Sequence, residues 1–193
     1  MLIVFGGSFN PPTIAHYEIA EYLSEQTFCE QFIFLPVGNQ YPKKGLVESF
    51  HRVKMLNLIC KQLQKCNVSE LETNHEKMLT TYESLTILKD KYAFNEIAFV
   101  LGADNLTKLN SWSLFKNLIK EFKIIVFRRN DIDIDEIVQK EFYEFQDRFI
   151  ILDSFGEMNV SSSLYRDNDE NEHLVLESVS QYIKKNHLYG RKI

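Results

Sequence analysis

The residues with the clearest chemical potential stand near the start of the chain, where an apolar run ends at Gly6-Gly7 and a polar, turn-forming stretch leads to His16. Glycine has no Cβ atom, so a ligand can approach the backbone closely here. The pattern predicts a strand, a loop and a helix start, and the first N–H groups and dipole of a helix attract phosphate. Asn10 and Thr13 add short polar side chains, and His16 follows Thr13 by about one helical turn. These residues alone leave two interpretations open, a phosphate site or an ordinary strand-to-helix connection.

The elements that must position this loop alternate along the whole chain between apolar β-type runs and helical patterns. Because such alternation forms βαβ units, we predict an α/β fold with a doubly wound, Rossmann-like parallel sheet. Ligands bind these sheets beyond the carboxyl ends of the strands, where the strand order reverses. Polar residues are concentrated at the predicted strand ends, at residues 6–16, 38–44, 102–104 and 128–129.

Apolar spacing and capping residues predict the bounds of the elements. After the opening run, strands are expected at residues 31–37, 67–71, 96–101, 123–127 and 149–152. Helices are expected at residues 14–24, 49–63 with Ser49 as N-cap, from Thr80 or Thr81 to 91, 112–120, 133–146, a short one after Ser161, and 172–185. The acidic stretch at 167–172 is expected to be an exposed loop.

The composition limits the function. A chain of 193 residues that is 45% hydrophobic and 25% charged predicts one globular domain over residues 1–193. The formal net charge of −5 disfavours general binding of nucleic acid but allows a small basic nucleotide pocket. No apolar run is long enough for a bilayer and no signal peptide is evident, so we expect a cytoplasmic protein without a membrane partner. Cys29, Cys60 and Cys66 are expected to be reduced thiols.

Two segments resemble the signature motifs of the nucleotidyltransferase superfamily. Residues 6–16 (GGSFNPPTIAH) resemble G-G-[ST]-F-[DN]-P-x-[HT]-x-G-H, and residues 160–166 (VSSSLYR) resemble I-S-S-T-x-I-R. Residues 100–112 resemble the G-x-D-x-L…W segment of the nicotinate (nicotinamide) mononucleotide adenylyltransferases, and residues 52–55 and 179–189 resemble the R-x-x-M and Y-I-x-x-x-x-L-Y segments of that family. The resemblance covers nearly the whole chain and implies one nucleotidyltransferase domain, with residues 161–193 as a C-terminal helical part that carries the second motif.

The reaction of this family is transfer of AMP from ATP to the phosphate of a pyridine mononucleotide, with release of pyrophosphate. The resemblance therefore implies nicotinate mononucleotide as acceptor, deamido-NAD as product, and Mg²⁺ held mainly by the ATP phosphates. The attacking phosphate is already ionised at neutral pH, so positioning and charge stabilisation replace a catalytic base. A homo-oligomer is compatible with the sequence.

The resemblance also implies roles for individual residues. The predicted catalytic residues, which contact the reacting phosphates, are His16, Thr13, Asn10 and Arg166. The predicted ATP-binding residues are Gly6, Gly7, Ser8, Phe9, His16, Gly102, Asp104, Arg129, Ser161, Ser162 and Arg166. The predicted mononucleotide-binding residues are Lys43, Lys44, Thr81, Asp104 and Trp112. No protein side chain is expected to ligate a metal. Each role has a structural alternative, namely N-capping for the serines, a core position for the tryptophan, solvation for the lysines and a surface salt bridge for the arginine.

The sequence also departs from the family patterns. Thr13 stands where histidine is most typical, and Ala15 stands where the signature has glycine. Residues 36–46 are closer to the nicotinamide mononucleotide branch, and residues 81–84 only loosely resemble T-x-D-T. Three alternatives therefore stay open: nicotinamide mononucleotide as preferred or second acceptor, another phosphate acceptor such as a pantetheine phosphate, and a nucleotide sensor without turnover.

Overall fold

The computed structural model describes residues 1–128, 132–152, 160–167 and 169–191, which fall into two compact units. The first unit comprises residues 1–6 and 79–159, and the second comprises residues 7–78 and 160–193. One domain over residues 1–193 stays a prediction.

The sheet has six strands, β1 (Leu2–Gly7), β2 (Gln31–Pro36), β3 (Cys66–Val68), β4 (Ile97–Gly102), β5 (Lys123–Phe127) and β6 (Phe149–Leu152). Their order is β3-β2-β1-β4-β5-β6, and β1–β4, β2–β3, β4–β5 and β5–β6 pair in parallel. This is the strand order of a doubly wound Rossmann-type sheet, in which the order reverses beside β1. The predicted α/β fold is confirmed.

The α-helices are α1 (Ile14–Glu25), α2 (Ser49–Cys60), α3 (Thr81–Tyr92), α4 (Ala103–Leu106), α5 (Phe115–Glu121), α6 (Ile134–Glu141), α7 (Ser162–Asp167) and α8 (Glu177–Lys185). Short 3-10 helices occupy Leu109–Ser111, Tyr143–Arg148, Asp169–Leu174 and Leu188–Gly190. In the described ranges, no helix combines the length and the apolar character that a membrane crossing needs.

The first unit is built on buried central strands. All of β4 is buried, and the residues of β1 and β5 are buried except at one end, as is typical of parallel strands covered on both faces. Phe5 pairs with Val100, and Gly102 pairs with Phe127, so the carboxyl ends of β1, β4 and β5 lie side by side. The predicted helix 133–146 ends early, because the backbone leaves the helical region at Phe142.

The second unit contains the parallel pair β2–β3 and the helices α1, α2, α7 and α8. Cys29, Cys60 and Cys66 are free thiols, as predicted, and the sulfur atoms of Cys60 and Cys66 are 2.8 Å apart. The predicted helix 172–185 is wrong at its start, since Asp169–Leu174 forms a 3-10 helix and α8 begins only at Glu177. The predicted acidic loop is therefore largely helical.

Two further helix starts differ from the prediction. Glu48, not Ser49, is the N-cap of α2, and the N–H of Ser49 donates to Asn39 Oδ1 at 2.6 Å. Trp112 has an extended backbone and Leu114 a left-handed φ of 58°, so α5 begins after both. The local sequence pattern does not predict a leucine in the left-handed conformation. Leu114 adopts it, and Trp112 therefore lies outside the helix.

Candidate active site

The helix start after the glycine-rich loop holds His16 in one orientation. Thr13 is the fully buried N-cap of α1, and its backbone N–H donates to His16 Nδ1 at 2.9 Å. The Thr13 hydroxyl oxygen lies 2.7 Å from the same nitrogen. Because a backbone N–H can only donate, Nδ1 is an acceptor, and the proton of the neutral imidazole is on Nε2. Thr13 therefore orients the half-buried His16 as a hydrogen-bond donor through Nε2.

Phe9 carries the unusual backbone conformation of this loop. Its φ of 44° lies in the left-handed region, which non-glycine residues rarely adopt. Its buried ring packs edge to face on His16 at 5.1 Å and on Phe34 at 5.3 Å between centroids. A Cβ atom on Gly7 would lie 3.2 Å from the Phe9 ring. Gly7 thus leaves room for the Phe9 ring, which packs on His16. The left-handed backbone conformation of this loop occurs at Phe9.

Asn10 is fully buried and connects the first loop to a second one. Its Nδ2 donates to the carbonyl of Gly45 at 2.9 Å, and its Oδ1 accepts the N–H of Val47 at 3.1 Å. These bonds fix the orientation of the amide, because Gly45 offers an acceptor and Val47 a donor. The side chain of Asn10 therefore holds the loop that also carries Lys43.

Arg52 is a fully buried guanidinium that binds three separate backbone segments. It donates to the carbonyl oxygens of Val47 at 2.8 Å, Ser8 at 3.1 Å and Val37 at 2.7 Å. Burial lowers the pKa of Arg52, although guanidinium remains charged at physiological pH. A positive charge thus lies directly beneath the loop of Ser8.

Lys43 brings a second cation to the same loop, since its ammonium group donates to Ser8 Oγ at 2.7 Å. Burial, and then the positive charges of Arg166 and Arg52, lower the pKa of Lys43. Within the ranges that the structure describes, none of these three cations forms a salt bridge. Lys44 is exposed. Glu48 acts on Arg52 from a distance, but no described carboxylate pairs directly with these cations, as expected of an anion-binding site.

The second motif touches the first through two side chains. Ser162 Oγ donates to the carbonyl of Pro11 at 2.7 Å, and Arg166 Nη1 donates to the carbonyls of Asn10 and, at 3.0 Å, of Ser162. Ser161 Oγ accepts the N–H of Leu164 at 3.1 Å, which is the N-capping alternative for this serine. The two motifs are thus one connected assembly within the second unit.

The predicted residues of the first unit form two smaller groups. A Cβ atom on Gly6 would lie 2.8 Å from the ring of Phe99, whose other contact is an edge-to-face packing on half-buried Trp112 at 6.2 Å. A Cβ atom on Gly102 would lie 2.6 Å from Asp104 Oδ1. A Cβ atom at Gly6 would therefore force the buried Phe99 ring to shift, whereas the exposed Asp104 carboxylate can move away from one at Gly102.

Thr81 is the first residue of α3, and Thr80 is its N-cap. Thr80 Oγ1 accepts the N–H of Glu83 at 3.2 Å, while Glu83 Oε2 accepts the N–H of Thr80 at 2.8 Å. This reciprocal capping box sets the helix start, which the sequence left open between the two threonines. Arg129, the remaining predicted ATP contact, lies outside the described residues.

Comparison with known proteins identifies the family of this chain. A family model described as cytidylyltransferase-like matches residues 4–168. The probable nicotinate-nucleotide adenylyltransferase of Acholeplasma laidlawii is 33% identical, over 98% of this chain and 97% of its own length. The chain belongs to the cytidylyltransferase-like family, and within it to the nicotinate-nucleotide adenylyltransferases.

Other adenylyltransferases are similar over the same length. The probable nicotinate-nucleotide adenylyltransferase of Carboxydothermus hydrogenoformans is 31% identical, over 96% of each chain. The Plasmodium falciparum nicotinic acid mononucleotide adenylyltransferase complexed with NaAD has a TM-score of 0.82 at 25% identity, covering 98% of this chain and 97% of that chain. The same enzyme complexed with APC has a TM-score of 0.80.

The residue of this adenylyltransferase that sequence reasoning missed as part of the site is Arg52. The sequence suggested only that it belongs to a helix with Met55 three positions later. The available signal was the position of Arg52 next to Val53, an apolar residue of α2 that is buried. A charged side chain in such a place needs partners. The partners are backbone carbonyls, which no side-chain motif reveals.

Proposed function

We propose that this enzyme transfers the AMP group of ATP to the phosphate of nicotinate mononucleotide, forming deamido-NAD and pyrophosphate in NAD biosynthesis. The observation that carries this proposal is the set of three cations, Lys43, Arg52 and Arg166, that contact the loop between Gly7 and His16. A ligand with several phosphate groups supplies the negative charge that these side chains lack.

The reaction requires little from the protein except placement and charge. A phosphate oxygen of the mononucleotide attacks the α-phosphorus of ATP, a new P–O bond forms, and the bond to the β-bridging oxygen breaks with its electron pair leaving on pyrophosphate. The nucleophile is already ionised, so no proton has to be removed from it. Donors placed where charge develops then account for catalysis.

Each group in the second unit has a role in this proposal. His16 donates through Nε2 to a non-bridging oxygen of the α-phosphate, and Thr13 holds the imidazole in the required tautomer. Lys43 and Arg166 bind the phosphates that leave as pyrophosphate. Arg52 supports the loop backbone and adds a fixed charge below it.

Mg²⁺ is the divalent ion that we expect on the triphosphate, where it would neutralise charge while phosphate oxygens and water hold it. The described residues include no group of three or more His, Cys, Asp and Glu side chains that could hold a metal. We expect the ion to enter the site together with the nucleotide. A cytoplasmic location and a homo-oligomer stay predictions.

Of the predicted mononucleotide contacts, Thr81, Asp104 and Trp112 lie in the first unit, and Lys43 and Lys44 lie in the second. Lys43, which donates to Ser8 Oγ, is assigned to the leaving pyrophosphate instead. Trp112 offers an aromatic surface for the pyridine ring, Asp104 can accept from ribose hydroxyls, and Thr81 opens α3, whose first N–H groups favour a carboxylate. Nicotinate is supported over nicotinamide by the relatives named above, whose names specify nicotinate.

The test is a paired acceptor assay. The purified protein is incubated with ATP, Mg²⁺ and either nicotinate mononucleotide, nicotinamide mononucleotide or a pantetheine phosphate, with a control lacking acceptor, and pyrophosphate and product are measured. We expect pyrophosphate and deamido-NAD in equal amounts with nicotinate mononucleotide. Pyrophosphate release with another acceptor only would overturn the assignment of nicotinate mononucleotide as substrate. ATP binding without pyrophosphate release from any acceptor would show that the protein is a nucleotide sensor and not an enzyme.

A further inference from the structure

The turn at Leu188–Gly190, called here the C-terminal turn, reaches the loop of residues 7–13 between β1 and α1, called here the phosphate loop, through one side chain. The Tyr189 hydroxyl donates to Asn10 Oδ1 at 2.9 Å, across 179 positions of sequence. Tyr189 has a left-handed φ of 56°, and His187 two positions earlier has one of 52°. Non-glycine residues seldom adopt this conformation, and such residues persist only where surrounding contacts hold them. The backbone of the turn is thus held in a conformation that directs the tyrosine towards Asn10.

The Tyr189 hydroxyl fills the second acceptor position of Asn10 Oδ1. Asn10 Oδ1 already accepts the N–H of Val47, and Tyr189 uses its second acceptor position, while Nδ2 is held by the carbonyl of Gly45. The carbonyl of Asn10 in turn accepts from Arg166. Asn10 therefore joins the phosphate loop, the loop that carries Lys43, the second motif and the C-terminal turn.

Tyr189 lies near two of the cations that contact the phosphate loop. Burial raises the pKa of Tyr189, whereas the positive charges of Arg166 and Arg52 act to lower it. The hydroxyl therefore stays protonated through the physiological range and remains a donor to Asn10. Its ring packs edge to face on buried Tyr165 at 6.0 Å, a contact that does not require the hydroxyl.

We propose that Tyr189 is a positioning residue for nucleotidyl transfer, which acts through Asn10 to hold Lys43 and Arg166 at their places around the phosphate loop. This inference rests on the proposed function for its effect on turnover. The proposal also states that Tyr189 restrains the loop of residues 43–47. This restraint does not depend on which acceptor the enzyme uses.

The test compares Tyr189→Phe with a matched control, Tyr182→Phe. Each change removes one hydroxyl from the C-terminal segment, and the Tyr182 hydroxyl makes a bond of the same 2.9 Å length, with His51 Nδ1. Loss of one such bond shifts a local equilibrium by about fivefold. We therefore expect Tyr189→Phe to lower kcat/KM for ATP about fivefold, while Tyr182→Phe keeps the wild-type value.

A second readout needs no turnover. Trypsin cleaves after lysine, and Lys43 and Lys44 lie in the restrained loop, so cleavage there follows the fraction of molecules with the loop open. We expect Tyr189→Phe to be cleaved at this loop about fivefold faster than the wild type, and Tyr182→Phe to be cleaved at the wild-type rate, at a temperature where circular dichroism shows both folded. Equal cleavage of the wild type and Tyr189→Phe, or equal acceleration in both variants, would overturn the proposal. This readout uses no substrate. Absence of adenylyltransferase activity would therefore overturn the proposed function, and the rates of tryptic cleavage would still test the role of Tyr189.

Discussion

His16 has two separable duties, and two substitutions distinguish them. Its Nδ1 accepts the backbone N–H of buried Thr13 and thereby caps α1, while its Nε2–H is proposed to contact the α-phosphate. His16 stands at the third helical position, where the usual capping-box residues are glutamate and glutamine. Glutamate can therefore restore the cap, and its carboxylate has no N–H to place where the imidazole Nε2 lies.

The magnitudes follow from these contacts. His16→Ala leaves the buried Thr13 N–H without its acceptor, which costs about 1–3 kcal/mol of unfolding free energy. It also removes one donor from the transition state, which lowers kcat about a hundredfold, or roughly 2.7 kcal/mol. His16→Glu should recover most of the cap, a contribution of about 1 kcal/mol or more, while kcat stays at least about a hundredfold low.

Urea denaturation followed by circular dichroism gives the free energy of unfolding, and pyrophosphate release at saturating ATP and nicotinate mononucleotide gives kcat. If His16→Glu kept kcat within about fivefold of the wild type, the role of Nε2–H in stabilising the transition state would be refuted. If His16→Ala were as stable as the wild type, the capping contact would be refuted instead.

Three further predictions concern other parts of the site. Arg52→Met leaves three backbone carbonyls without their donor and should lower the free energy of unfolding by roughly 4 kcal/mol, measured in urea, with Arg52→Lys losing less. Burial and neighbouring cations lower the pKa of Lys43, and ATP should raise it, so ATP binding at alkaline pH takes up a proton and weakens as pH rises; calorimetry in buffers of different ionisation enthalpy measures this. Trp112→Ala should mainly raise KM for the mononucleotide, and Gly6→Ala should raise the same KM less, because its Cβ atom displaces the Phe99 ring that packs on Trp112.

Each of these predictions has a result that contradicts it. A loss below about 1 kcal/mol in Arg52→Met would mean that the three carbonyls find other donors. Lys43→Arg keeps its charge at all relevant pH values, so proton uptake that persists in this variant would come from another group. An unchanged KM for the mononucleotide in Trp112→Ala would make Trp112 a packing residue.

The alternation of apolar runs was sufficient to predict the α/β fold and the positions of buried strands such as residues 123–127. A central parallel strand is apolar on both faces, so its signal is local and strong. The helix starts were harder, as Trp112 and Leu114 show, because a left-handed residue is stabilised by contacts that distant segments provide.

By itself, the sequence determined the fold class, the glycine-rich loop that ends in His16, and a second motif with Arg166, since each depends on residue types at short spacing. Only the tertiary structure decided which nitrogen of His16 carries the proton, that Arg52 lies beneath the loop, and that Tyr189 holds Asn10. The physical reason is that these features depend on buried hydrogen bonds, several of them between distant residues and backbone atoms. Such partners leave no periodicity and no spacing in the chain from which they could be predicted.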